Sequence, residues 1–166
     1  MPTATGGSNT ATLTATVCRR QFAMSDAISI LLIDANHHDR ESYAQRLQAS
    51  SSSFEVAQAA TGRAGLDLCA RQPIDCVVLE IDLPDMSGFQ VLEYLVWSAS
   101  HPQMAVVVLT ALPNEYLLEL ALKNGAQAAL QKRMPSADRL EESILQAIAT
   151  VKQDRERQNR PMRLSA

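Results

Sequence analysis

Apolar positions along the chain switch repeatedly between short unbroken runs and spacings of three and four, an alternation that predicts five strand and helix pairs. Ile28 to Ile33 is a short apolar run closed by Asp34, and Tyr43, Ala44 and Leu47 follow at helical spacing over Asp39 to Leu47. Phe54 to Ala59 predicts a second strand, and Thr61 opens a helix carrying Ala64, Leu66 and Leu68. Val77 to Glu80 is the third strand; Phe89, Val91, Leu92, Leu95 and Val96 mark a helix that stops between Ser98 and Pro102, near His101. Ala105 to Leu109 is the fourth strand, and Leu117, Leu118, Ala121 and Leu122 place a helix from Asn114 up to a terminating Gly125. Ala126 to Leu130 is a fifth, short strand. Ser136 is a good N-cap for a last helix, whose Leu140, Ile144, Ala147, Ile148 and Val151 form one stripe.

Such alternation calls for an α/β fold with a parallel sheet, because right-handed crossovers lay helices on both faces. In an open sheet of this kind the site lies beyond the carboxyl ends of the strands. The residues there are Asp34, Glu80, Thr110 and Lys132, two acids, a hydroxyl and an amine. The richest stretch is Ile74 to Gly88, where β-forming residues run into Glu80 and then Asp82 and Asp85.

Composition narrows the picture. At 166 residues the chain can bury one substantial core, and its longest apolar runs fall far short of the roughly 18 residues of a membrane span. Residues 26–151 hold sixteen acids against eight bases and form the expected domain, which argues against gripping nucleic acid through phosphates. Residues 1–25 lack acids and a hydrophobic period and are expected to be disordered, with Met24 a candidate alternative start; residues 152–166 read as a charged tail or linker. Cys18, Cys69 and Cys76 are unpaired in number and widely spaced, which fits a reducing, cytoplasmic setting rather than a disulfide or zinc framework.

The segments LLIDANHHDR at 31–40, VVLEIDLPDMSG at 77–88, VVVLTA at 106–111 and GAQAALQK at 125–132, in that order and spacing, resemble the receiver domain of two-component response regulators. The resemblance covers about Ala27 to Val151 and implies a flavodoxin-like (βα)5 fold with sheet order 2-1-3-4-5. In that family an aspartate ending the third strand accepts a phosphoryl group from a histidine kinase. Two acids after the first strand help hold Mg²⁺, and a hydroxyl and a lysine contact the phosphoryl oxygens. Carried across, Asp34, Thr110 and Lys132 match; the second acid is Ala35, the acceptor position is Glu80, an aromatic switch residue is Ala129, and the proline after the lysine is Arg133.

Those departures act on one step. Without an acid at Ala35, a metal set of Asp34, Glu80 and the Asp82 carbonyl predicts weak Mg²⁺ binding, and no other cofactor is implied. Glu80 displaces its carboxylate by on the order of 1 Å, enough to cost about a hundredfold in an oriented reaction. Phosphoryl transfer depends on positioning and metal charge, so the expectation is a non-enzymatic, phosphorylation-independent receiver. Glu80 then either stands in for the phosphoryl group beside Lys132 and Thr110 or forms a structural ion pair with Lys132. The resemblance implies a partner surface on the fourth helix, fifth strand and fifth helix, here including Tyr116, Leu120, Ala129, Gln131 and Arg133, for a histidine kinase, a downstream signalling protein or a second copy. Phosphorelay through the altered site, a metal-dependent phosphohydrolase and a flavin protein are the other readings of this fold. The flavin reading suits the chain poorly, because Asp34 to Asp39 would repel a phosphate.

The remaining candidates read as structure. Asp82 and Asp85 suit solvated turn chemistry before Gly88. His37, His38 and Asp39 are adjacent and do not face one point, which favours a loop and cap over a metal cluster. TGRAG at 61–65 lacks the ending of a phosphate loop, and Trp97 suits packing.

Overall fold

The computed structural model describes residues 27–98, 104–132 and 137–158. The N-terminal extension over 1–25, His101 and Pro102, Arg133, the Ser136 cap and the side chain of Trp97 lie outside the described residues. Five strands, β1 (Ile28–Ile33), β2 (Phe54–Ala59), β3 (Cys76–Leu79), β4 (Ala105–Thr110) and β5 (Ala128–Gln131), alternate with five helices. These are α1 (His37–Ser50), α2 (Gly62–Arg71), α3 (Gly88–Ser98), α4 (Glu115–Lys123) and α5 (Ala137–Gln158). The strands form one parallel sheet in the order β2-β1-β3-β4-β5, as the alternation of patterns predicts.

Period-two alternation along each strand divides the core into two layers. On one face Ile30, Leu32, Val78 and Val107 pack with Leu47 of α1 and with Leu140, Ile144, Ala147, Ile148 and Val151 of α5. On the other Leu31, Ile33, Val77, Val106 and Val108 meet Val91, Leu92 and Leu95 of α3 and Ala121 of α4. Each fully buried Leu, Ile or Val contributes about 1.5–3 kcal/mol relative to exposure. All six residues of β4 are buried. A continuous apolar strand of that kind belongs in the interior of a parallel sheet.

Element ends differ from the sequence pattern where a local hydrogen bond decides them. The strand expected over Val77 to Glu80 ends at Leu79. Although the Glu80 N–H still reaches the Ile33 carbonyl, the Glu80 carboxylate accepts from the N–H groups of Ile81 and Asp82 and draws the chain out of the ladder. The strand expected from Ala126 starts at Ala128. Gly125, at φ 100°, closes α4 by donating to Leu122, and Ala126 donates to Ala121 and is thereby taken from the strand. Helix α1 begins at His37, two residues before Asp39, because the Asn36 side chain caps it by accepting from the N–H groups of His38 and Asp39. Helix α5 continues beyond the buried Val151, with residues 152–157 exposed. Among the described residues no helix is long and apolar enough to cross a membrane.

Candidate functional site

Parallel strands bring their carboxyl ends to one edge, and the register sets which residues meet there. The Asp34 N–H donates to the Ala59 carbonyl, the Glu80 N–H to Ile33 and the Lys132 N–H to Thr110, so the four predicted residues stand side by side at the ends of β1, β3, β4 and β5. Asp34, Glu80 and Thr110 are buried polar residues. Burying charge there requires compensation from neighbours.

Lys132 supplies it. Its Nζ lies 2.6 Å from Asp34 Oδ2, 2.9 Å from Asp39 Oδ2 and 3.0 Å from Glu80 Oε2, with a side chain only 8% exposed. The other Asp34 oxygen, Oδ1, accepts from the Asn36 N–H at 2.9 Å. Glu80 Oε1 accepts from Ile81 at 2.7 Å and from Asp82 at 3.3 Å, while Oε2 takes the Ala111 N–H at 3.0 Å besides Lys132. Thr110 Oγ1 accepts from the Leu112 N–H, which turns the chain after β4 toward α4. Among the described residues no buried side-chain nitrogen or oxygen lacks a partner.

Burial alone would push the Glu80 carboxyl up, but hydrogen bonds from Thr110, Lys132 and the Ala111 N–H, with the Lys132 charge, together hold it below its ordinary value. Burial would likewise lower Lys132; hydrogen bonds to Asp34, Asp39 and Glu80 raise it instead. Glu80 and Lys132 therefore face each other as a charged pair at neutral pH. Beneath it a cavity of about 10 Å³, lined by Asp34, Arg40, Tyr43 and Glu80 among apolar neighbours, is no larger than one water.

The sequence pattern missed Asp39. It belongs to the first turn of α1, placed in the sequence reading with the adjacent histidines as a loop and cap, yet its carboxylate reaches across 93 positions to Lys132. The signal available was the missing acid at Ala35, an exposed position in the structure. Asp85, expected as a solvated turn carboxylate, is exposed and also caps α2 from outside, accepting from Gly62 at 2.9 Å and Arg63 at 2.8 Å. The Arg63 N–H above all, then that of Gly62, holds its carboxyl below the usual range. Gly88 lets the same loop close tightly, since a Cβ there would collide with the Glu80 carbonyl oxygen and come within 2.6 Å of Ile81 Cα.

The residues present do not fit Mg²⁺. Such an ion asks for near-octahedral oxygens at about 2.0–2.1 Å. One oxygen each of Asp34 and Glu80 is taken by the ammonium, their others accept backbone N–H groups, Ala35 offers a methyl and the Asp82 residue is exposed. With the Lys132 ammonium in place, no group of three His, Cys, Asp or Glu among the described residues is arranged for a metal. Of the predicted partner face, Tyr116 is 64% exposed, and Leu120, Ala129 and Gln131 are half-buried on α4 and β5.

The family model of the response regulator receiver domain matches residues 30–145. Transcriptional regulatory protein FixJ of Azorhizobium caulinodans is 34% identical over 116 residues, covering 69% of this chain and 52% of that protein. Regulatory protein LuxO of Vibrio vulnificus is 34% identical over 88 residues, 53% of this chain and 19% of that protein. The chain thus spans about half the length of the first and about a fifth of the second. A response regulator receiver domain protein from Clostridium thermocellum shares the fold at a TM-score of 0.68 and 28% identity, covering 76% of this chain and 98% of that one.

Proposed function

The chain belongs to the family of response regulator receiver domains, and on that premise we propose that it is a two-component signalling receiver that works without being phosphorylated, through protein–protein contact. The observation that carries the reading is the position of the Glu80 carboxylate. It engages Lys132 and the Ala111 N–H on one oxygen and the Ile81 and Asp82 N–H groups on the other. Through the Ala111 N–H after β4 and the Lys132 ammonium after β5, it joins the ends of β3, β4 and β5, the elements whose hydroxyl and amine would otherwise meet phosphoryl oxygens. Glu80 thereby stands in for the group that it is poorly placed to accept.

The output surface in this reading is the face of α4 and β5, with Tyr116, Leu120, Ala129 and Gln131, offered to a histidine kinase, a downstream signalling protein or a second copy. Its setting is the cytoplasm and it has no catalytic role of its own. A metal-dependent phosphohydrolase at the same edge finds little support, since the carboxylates are committed to Lys132.

Incubation with acetyl phosphate and Mg²⁺ followed by intact mass measurement tests the reading. The mass should stay unchanged, and Glu80→Asp, which shortens the acceptor, serves as the comparison. A stoichiometric gain of about 80 Da in the wild-type chain, the mass of one phosphoryl group, would establish phosphorelay instead.

A further inference from the structure

We propose that the Lys132 ammonium is the resident cation of this pocket, seated by Asp39, and that it occupies the place a divalent ion would need. Three carboxylates from separate elements, the end of β1, the first turn of α1 and the end of β3, place one oxygen each at 2.6, 2.9 and 3.0 Å from Nζ. Acids brought this close cannot all remain charged without a cation among them. The chain supplies that cation covalently.

Asp39 is the element of this arrangement that the departures at Ala35 and Glu80 do not themselves provide. Asp34 and Glu80 each spend part of their hydrogen-bonding capacity on backbone N–H groups, whereas the Asp39 carboxylate closes on Lys132 from α1. One helical turn further along α1, the Tyr43 hydroxyl donates to the Lys132 carbonyl at 3.5 Å. Helix α1 therefore grips Lys132 at both its side chain and its main chain. A divalent ion entering here would have to displace the ammonium from its three counter-charges before any metal bond forms. Asp39 is in this sense a positioning residue, acting through Lys132.

The inference concerns the cation alone. A chain that takes no divalent ion yet gains a phosphoryl mass would leave it standing while overturning the reading of Glu80.

The test uses the full chain and its thermal midpoint with and without millimolar Ca²⁺ or Mg²⁺. The wild-type midpoint should not move. Lys132→Met empties the point on which three carboxylate oxygens converge, and it should acquire a Ca²⁺-dependent rise in midpoint or a Ca²⁺ requirement for folding. Adding Asp39→Asn should weaken that Ca²⁺ affinity about tenfold or more, because the site loses a charged ligand. A wild-type midpoint that rises with Mg²⁺, or a Lys132→Met protein indifferent to Ca²⁺, would overturn the proposal. Should Lys132→Met fail to fold under any of these conditions, ¹⁵N NMR of the lysine ammonium groups decides. Lys132 should give a protected resonance in the wild type, lost in Asp39→Asn and restored in Asp39→Glu; a resonance unchanged in Asp39→Asn would count against Asp39.

Discussion

The pocket at the ends of β1, β3 and β5 and the face formed by α4 and β5 meet at adjacent residues, Lys132 and Gln131, and are finished to opposite degrees. In the pocket both oxygens of Asp34 and of Glu80 have partners, and three acids share one ammonium. On the face, Tyr116 is 64% exposed, and β5 carries the small Ala129 at the position of the aromatic switch residue. Polar groups that are fully satisfied in a low-dielectric site hold one arrangement, and exposed aromatic surface is where a partner gains contact area. On the proposed reading, the difference teaches that a receiver can keep the frame of its phosphorylation site after giving up the reaction. What remains there is a fixed joint, and what is left open is the surface beside it.

The comparison breaks most sharply at Lys132. Replacing it by Met leaves Asp34, Asp39 and Glu80 facing one another around a lost positive charge, so in divalent-free buffer the variant should lose about 3–5 kcal/mol of unfolding free energy in urea. A loss below about 1 kcal/mol would mean the cluster behaves as an exposed ion pair and is not the joint described.

Proton linkage sharpens the same contrast. The Glu80 carboxyl is held below its ordinary value, so its contribution is present above the unfolded value near pH 4.3 and is lost as pH falls through the lower folded one. The Lys132 ammonium is raised, so its contribution is complete below about pH 10.4 and is lost only as pH rises through its higher folded value. The thermal midpoint should hold a plateau between those limits and fall on the acid side first. Glu80→Gln should flatten that acid limb, and an acid limb identical to the wild type would remove Glu80 from the account.

Much of this was legible before the structure, for reasons that differ from element to element. Short apolar runs alternating with helical spacings force a parallel sheet, and a parallel sheet forces Asp34, Glu80, Thr110 and Lys132 to one edge, so four pocket residues followed from periodicity. Asp39 did not, because its partner is 93 residues away and adjacency to two histidines suggested only a helix start. Asp85 was hidden in the same way, since its carboxylate serves the N-terminus of a different helix, α2. The late start of β5 depends on the Gly125 turn taking Ala126 into the end of α4, a hydrogen-bond choice that composition does not display.

The smallest effect on stability should come from the open face. Tyr116 stands at the start of α4, where the Asn114 side chain caps the helix by accepting the Tyr116 N–H; that bond involves only the backbone of Tyr116 and survives a change of side chain. With the ring largely in solvent, Tyr116→Ser should alter unfolding free energy by no more than about 0.5 kcal/mol. If the ring anchors a partner or a second copy, the same substitution should weaken association by about 2 kcal/mol, roughly thirtyfold. Sedimentation velocity at graded concentrations reads self-association, and a titration against the partner reads the rest. An association unchanged by Tyr116→Ser would move the output surface off α4 and leave the pocket as the better-explained half of the molecule.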